Sequence, residues 1–163
     1  MTLSIEDLIK EVKNLKDAGK KIVFTNGVFD ILHRGHAEYL NKAAHSGDVL
    51  IVGINSDLSV KRLKGENRPV NIEDDRAFLV DSLKAVEFTV IFSADTPYEL
   101  IADIAPDVLI KGGDYDPEET DPDSKKYIVG SDLVKRAGGT VAVIPLVPSR
   151  STTLTLKKIK DLK

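Results

Sequence analysis

Residues 21–36 read KIVFTNGVFDILHRGH, a short apolar run followed at once by a polar turn and a pair of histidines. The run Lys21–Thr25 has apolar residues on both faces, which is typical of a strand buried within a parallel sheet. Gly27 then lets the backbone turn sharply or approach a ligand closely. His33 and His36 flank Gly35, the predicted start of a helix. The stretch therefore predicts a strand–turn–helix unit with polar side chains at the carboxyl end of its strand.

The rest of the chain repeats this alternation of buried strands and amphipathic helices. The further predicted strands are Val49–Ile54, Phe88–Phe92, Val108–Ile110 and Thr140–Ile144, and the predicted helices lie at about 4–18, 35–46, 73–83, 97–104 and 129–137, with a last helix after Ser151. Strands without a polar face need helices on both sides of the sheet. The sequence thus predicts an α/β fold with a doubly wound, five-stranded parallel sheet. We expect one domain over residues 1–163, with the helix at 4–18 preceding its core.

Right-handed crossovers bring the carboxyl ends of all strands in such a sheet to one edge, where ligands bind. At that edge, His33 and His36 lie at the start of a helix, whose unpaired N–H groups and positive dipole end suit a phosphate. Imidazoles can donate to phosphate oxygens, and more strongly when protonated. Two alternatives are a plain helix cap and a metal site. The metal site lacks a third ligand, since His45 lies near the far end of the helix.

Composition limits the classes of protein that fit. The 163 residues are 42% apolar and 30% charged, with 23 basic against 26 acidic residues and a net charge of −3, so a nucleic-acid partner is disfavoured. The absence of cysteine excludes a disulfide scaffold and a thiolate metal site. No stretch approaches the roughly 20 apolar residues of a membrane span, and no secretory signal is present. We expect a cytoplasmic protein without a membrane partner, and a homodimer is one oligomeric state left open.

The segment Asp114–Asp123 (DYDPEETDPD) holds six acidic residues and two prolines. It cannot bury apolar surface, so the sequence predicts a mobile surface loop. A calcium loop is the alternative, but the segment lacks the central glycine, and Lys125 stands where the last ligand should be.

The string TNGVFDILHRGH at residues 25–36 resembles the His-x-Gly-His motif of the nucleotidylyltransferase superfamily. Within it, the chain is most similar to the D-glycero-β-D-manno-heptose 1-phosphate adenylyltransferases, the ADP-heptose synthases. The segments that carry this resemblance are VGINSD at 52–57, RLKG at 62–65, RP at 68–69, EDDR at 73–76, KGGDY at 111–115, IVG at 128–130 and RSTT at 150–153. The resemblance implies a Rossmann-like fold and the transfer of AMP from ATP to a sugar 1-phosphate, with release of pyrophosphate.

The resemblance also implies roles for individual residues. The residues implied in catalysis by contact with ATP phosphates are His33, His36 and Lys64. Those implied in nucleotide binding are His33 and His36 together with Val28, Phe29, Gly35, Lys111, Gly112, Gly113, Ser151, Thr152 and Thr153. Those implied in sugar phosphate binding are Asn26, Asp30, Lys61, Arg76 and Asp114. Mg²⁺ is expected with ATP, and no metal-ligating residue is named.

Several of these assignments have alternatives. Asp30 could instead fix the turn or act as a plain helix cap, and Arg76 could be an ordinary salt-bridging residue of its helix. The phosphate contact assigned to Lys64 could fall to Lys61 or Arg62. For the whole chain, the alternatives are a glycerol 3-phosphate cytidylyltransferase, another small-phosphate nucleotidylyltransferase, or a non-catalytic nucleotide-binding module. Glycerol-phosphate enzymes typically carry Arg-Thr-Glu-Gly before their STT segment, whereas this chain has Leu146–Ser149 there.

Overall fold

The computed structural model describes residues 1–145 and 152–162, and within them the chain forms six strands and seven helices. The strands are β1 Thr2–Leu3, β2 Ile22–Gly27, β3 Val49–Asn55, β4 Phe88–Phe92, β5 Val108–Gly112 and β6 Thr140–Ile144. The helices are α1 Ile5–Asp17, α2 Arg34–Ala44, α3 Asp57–Lys64, α4 Glu73–Asp81, α5 Tyr98–Ile104, α6 Ser131–Arg136 and α7 Thr152–Lys160. The strands alternate with helices from β2 onward, which confirms the predicted α/β, Rossmann-like arrangement.

The prediction of five strands is wrong by one, because β1 adds a sixth at the edge of the sheet. Thr2 pairs with Thr89 of β4, and their hydroxyl oxygens lie 2.7 Å apart. Two residues are too few to show an alternating pattern, so the sequence gives no signal for this strand. The helix after it is confirmed as α1, whose first turn is capped by the Ser4 hydroxyl accepting from the N–H of Asp7 at 3.1 Å.

All strand pairs are parallel, and the strand order is β1-β4-β3-β2-β5-β6. From β2 the chain adds β3 and β4 on one side of the sheet, and it then returns to add β5 and β6 on the other side. β2 and β3 pair over six residues. β2 and β5 pair only at Val23 with Val108 and at Phe24 with Leu109. Beyond Phe24 these two strands part, which opens a crevice at the point where the strand order reverses, the usual ligand position in such sheets.

Helices cover both faces of the sheet, as the strand pattern predicts. One buried cluster joins the sheet to α1, α5 and α6, and its helical members include Leu8, Ile101 and Val134. The other joins it to α2 and α4, through residues such as Leu40 and Val80. The two clusters hold the sheet rigid between them, so the loops at its carboxyl edge are mounted on a fixed frame.

Two features of the surface bear on the sequence predictions. Asp114–Asp123 is a largely exposed loop with hydrogen-bonded turns, including the N–H of Asp116 donating to the carbonyl of Lys126 at 2.9 Å. Its predicted mobility stays a prediction. Across residues 1–145 and 152–162, no helix has the length and apolar character needed to cross a membrane.

Candidate active site

The crevice between β2 and β5 is bridged by side chains in place of backbone hydrogen bonds. The hydroxyl of Tyr39 lies 2.6 Å from Oγ1 of Thr25 and donates to the carbonyl of Ile110 at 3.3 Å. The ammonium of Lys111 donates to Oδ1 of Asn26 at 2.7 Å. Burial raises the pKa of Tyr39, so its hydroxyl stays protonated and can serve as a donor. These contacts keep the two strands apart at a fixed distance.

A cavity of about 270 Å³ opens at this crevice. It is lined by residues from β2 and the turn after it, from α2, from the end of α3 and the segment that follows, from β5 and the loop after it, and from α7. They are Asn26, Gly27, Val28, Phe29, Asp30, His36, Tyr39, Lys64, Arg68, Lys111, Gly112, Tyr115 and Thr152. The structure thus brings together in one cavity most of the individual residues that the resemblance implies. Tyr39, Arg68 and Tyr115 were not predicted as site residues.

The turn after β2 has a strained backbone. Phe29 adopts a left-handed conformation with φ 48°, which is unusual for a residue with a Cβ. A Cβ on Gly27 would lie 2.9 Å from Cε2 of the Phe29 ring, so a larger residue there would force the ring to move. The Phe29 ring meets His36 edge to face, with 5.3 Å between ring centres. Strain of this kind is concentrated at functional sites.

The two histidines lie at the start of α2, as the motif predicted. His33 is the N-cap residue, and its ring stacks on that of His36 with centres 3.9 Å apart. Burial, together with the charges of His33 and Lys64, lowers the pKa of His36 to about 4. His36 is therefore a neutral donor at pH 7, and it does not supply the positive charge that a protonated imidazole would bring.

The positive charge of the cavity comes from Lys64, Arg68 and Lys111. Burial lowers the pKa of Lys111 to about 8. Much of the Lys64 side chain is exposed, yet loss of solvent around its ammonium and the charge of Arg68 lower its pKa, and Asp30 opposes this. An anion entering the cavity would stabilise the charged forms of both lysines and so raise their pKa values.

Asp30 lies in the cavity wall, but its carboxylate is already engaged. It accepts from the N–H groups of Val70 at 3.0 Å and Asn71 at 2.9 Å, and it pairs with Nη2 of Arg68 at 2.7 Å. The contacts favour the alternative role for Asp30, that of fixing the turn, since these three partners hold the segment after α3 against the β2 turn.

Arg76, which the resemblance implies in sugar phosphate binding, does not line this cavity, and that role stays a prediction. Its side chain is fully buried in α4, and it donates to the carbonyls of Val28 at 2.6 Å, Asn55 at 2.8 Å and Asn71 at 3.0 Å. It also pairs with Asp57 at 2.8 Å. Every nitrogen of its guanidinium therefore has a protein acceptor. Arg76 ties three loops of the carboxyl edge together from behind the cavity.

The remaining predicted residues fall into three groups. Thr152 lines the cavity, and Thr153 lines a neighbouring cavity of about 290 Å³ together with Arg68, Leu156 and Lys157. Within the described ranges, the predicted residues that line neither cavity are His33, Gly35, Lys61, Gly113, Asp114 and Arg76. Ser151 lies outside the described residues. Arg62 is also directed elsewhere, since its guanidinium binds Asp95 at 2.6 Å.

The donor set of the cavity does not fit a metal ion held by the protein. Asp30 is the sole carboxylate among the described lining residues, and it is paired with Arg68. No group of three histidine, aspartate or glutamate side chains with metal-binding geometry occurs in residues 1–145 and 152–162. A divalent ion that accompanies a nucleotide is therefore treated below as part of that substrate.

Comparison with known proteins places this site in a family. The profile of the cytidylyltransferase-like family matches residues 24–154. Bifunctional protein HldE of Wolinella succinogenes is 52% identical over 158 residues, covering 97% of this chain, and HldE of Nitratiruptor sp. is 53% identical over 149 residues, covering 91%. The chain spans about 31% and 30% of the length of these two relatives.

A solved structure is also similar. The lipopolysaccharide core biosynthesis protein from Thermoplasma volcanium GSS1 is 28% identical, with a TM-score of 0.59, and the match covers 79% of this chain and 98% of that one. A doubly wound parallel sheet with a His-x-Gly-His turn at its switch point defines an enzyme of the nucleotidyltransferase class. The chain belongs to the cytidylyltransferase-like family.

Replacing Arg76 with methionine should lower the free energy of unfolding by about 3–5 kcal/mol, because Asp57 and three carbonyls lose their buried donor. Chemical denaturation measures this change. Arg136→Met is the matched control, since Arg136 pairs with Asp132 at the surface and should matter by less than about 1 kcal/mol. A stable Arg76→Met variant that has lost activity would instead support the original assignment to substrate binding.

The pKa of Lys111 predicts a specific pH dependence. Its folded-state pKa lies below the ordinary value, so the charged form is present below about pH 8 and is lost above it. We expect kcat/KM to fall as the pH rises through about 8, because a neutral amine no longer attracts phosphate. Lys111→Arg should remove this fall, since guanidinium stays charged. Lys42→Arg, an exposed position on α2, serves as control, and an identical profile for Lys111→Arg and the wild type would contradict the prediction.

Proposed function

We propose that this protein transfers AMP from ATP to a sugar 1-phosphate, D-glycero-β-D-manno-heptose 1-phosphate, giving ADP-heptose and pyrophosphate. An oxygen of the acceptor phosphate attacks the α-phosphorus of ATP. The bond from the α-phosphorus to the bridging oxygen of the β-phosphate breaks, and pyrophosphate leaves with those electrons. The acceptor supplies no proton that must be removed, because its phosphate is already ionised near neutral pH.

One observation carries the proposal: the cavity wall offers donors and positive charge, and no unpaired carboxylate among the described lining residues. Asp30 is engaged by Arg68, and His36 is neutral with a pKa of about 4. A site of this kind lacks a strong general base, which hydrolysis or attack by a hydroxyl would need. It suits a reaction whose nucleophile is an ionised phosphate and whose main need is alignment and neutralisation of charge.

The proposed roles follow from position. His36 and the start of α2 lie beside the β2 turn and would stabilise charge at the α-phosphorus. Lys64 ends α3, which follows β3, and Lys111 lies in β5; β3 and β5 flank β2 on opposite sides. An in-line displacement places acceptor and leaving group on opposite sides of the reacting phosphorus. With a cation on each side of the β2 turn, one could bind the acceptor phosphate and the other the leaving pyrophosphate.

The identity of the acceptor is supported by resemblance. KGGDY at 111–115 and RSTT at 150–153 are similar to the heptose branch. The similar Thermoplasma protein is described as a lipopolysaccharide core biosynthesis protein. Mg²⁺ would enter bound to ATP and offset part of its charge, since the cavity offers it no carboxylate set. We expect the enzyme to act in the cytoplasm, where ATP is available.

Substrate choice provides the direct test. Pyrophosphate release should be fastest with MgATP and heptose 1-phosphate, and it should stop when the divalent ion is chelated. CTP should be a poor donor, because a site built for one base leaves buried polar groups unpaired with another. Glycerol 3-phosphate should be a poor acceptor, since it is too small to use contacts shaped for a heptose. A tenfold preference for CTP with glycerol 3-phosphate would replace the proposal with the cytidylyltransferase alternative.

The role of His36 can be tested separately. His36→Ala should lower kcat at least a hundredfold, because loss of one donor to developing charge typically costs roughly 3–4 kcal/mol. His45→Ala is the matched control at the other end of α2, where His45 Nδ1 lies 2.6 Å from the carbonyl oxygen of Asn41. That control should retain its activity. A kcat near the wild-type value for His36→Ala would refute the role of His36.

A further inference from the structure

Arg68 is a half-buried cation of the cavity to which the sequence predictions gave no role. Its side chain is 19% exposed, and it lines the cavity that holds His36 and Lys64. Its Nε is fully buried and has no hydrogen-bond partner within residues 1–145 and 152–162. A buried donor without an acceptor is unfavourable, and such a group in a cavity wall marks the place of a ligand acceptor.

The guanidinium of Arg68 is held in place before any ligand arrives. Nη2 lies 2.7 Å from Oδ2 of Asp30. Asp30 is itself only 3% exposed and accepts from the N–H groups of Val70 and Asn71, so it has little freedom to move. An arginine fixed in this way loses little conformational entropy on binding an anion, and its planar donors suit phosphate oxygens.

The position of Arg68 indicates which part of the substrate it meets. It is the described residue shared by the two neighbouring cavities. The first contains His36 and Thr152, and the second contains Thr153 and Lys157 of α7. Polar and cationic groups therefore run from the start of α2, through Arg68, to the first turns of α7. A chain of phosphates that begins at His36 and extends toward α7 would pass Arg68.

We propose that Arg68 binds the β- and γ-phosphates of ATP, the part of the nucleotide that leaves as pyrophosphate. This inference rests on the proposed adenylyl transfer. The guanidinium would stabilise the negative charge that grows on the leaving group as the bond to the α-phosphorus breaks. Asp30 is then a positioning residue, because it acts on the substrate through Arg68. Lys111, on the other side of the β2 turn, is left to serve the acceptor.

Binding without an acceptor gives the first test, using the full chain with Mg²⁺, AMP and a β,γ-imido analogue of ATP. Arg68→Gln should weaken binding of the ATP analogue at least thirtyfold and leave AMP affinity within twofold, because AMP lacks the phosphates in question. Arg68→Lys should fall between, since ammonium keeps the charge but loses the planar donors. Arg62→Gln is the matched control, because Arg62 binds Asp95 instead of the cavity.

Kinetics give the second test. Arg68→Gln should raise the KM for ATP or lower kcat, and leave the KM for the sugar phosphate unchanged. A raised KM for the sugar phosphate with normal ATP binding would overturn the inference by placing Arg68 on the acceptor side. Equal losses of AMP and ATP affinity would reduce Arg68 to a structural role. If Arg68→Gln does not fold, the ratio of ATP to AMP affinity in Arg68→Lys decides.

The two proposals fail separately. Loss of selective ATP-analogue binding in Arg68→Gln, without any turnover of heptose 1-phosphate by the wild type, would refute only the proposed acceptor. Normal turnover by the wild type, with Arg68→Gln indistinguishable from it, would refute only the role of Arg68.

Discussion

The site depends on the early end of pairing between β2 and β5. Their registered pairs stop at Phe24 and Leu109, whereas β2 and β3 stay paired to the end of β2. Unpaired backbone groups at the edge of a crevice need other partners, and the Tyr39 hydroxyl donates to the carbonyl of Ile110. The ammonium of Lys111 also lies in the gap, where it donates to the side chain of Asn26. The early end of pairing between β2 and β5 thus explains why the cavity opens, why its lining is polar and why it lies where the strand order reverses. Closing the sheet would remove the cavity and leave Lys111 without room.

Two arginines near this crevice, Arg76 and Arg68, have different roles, and their hydrogen-bond partners distinguish them. Arg76 has protein acceptors for all its nitrogens and stabilises the loops that carry Val28 and Asn71. Arg68 has one carboxylate partner and a buried Nε without one. Both belong to motifs that resemble the heptose branch, so resemblance alone does not separate them. A guanidinium with satisfied donors supports structure, and one with an unsatisfied donor is available for a ligand.

The sequence predicted the parts of this protein that depend on local pattern. Strands such as Val49–Asn55 and the helix start at His33 follow from apolar runs and from the motif. The sequence could not predict β1, whose two residues carry no pattern. Nor could it place Arg76 behind the site and Arg68 in it, because that depends on how the segment after α3 folds back onto Asp30. Nor does the sequence single out Tyr39, because its hydroxyl gains a role only where the two strands part.

The charges around the cavity favour the binding of phosphates. His36 contributes no charge at pH 7, and the charge of Arg68 is largely offset by Asp30. The uncompensated charge then rests on Lys64 and Lys111, whose pKa values burial lowers. Each phosphate that enters brings up to about two negative charges and so raises both pKa values. Substrate binding therefore stabilises the charged forms of the two lysines that it needs.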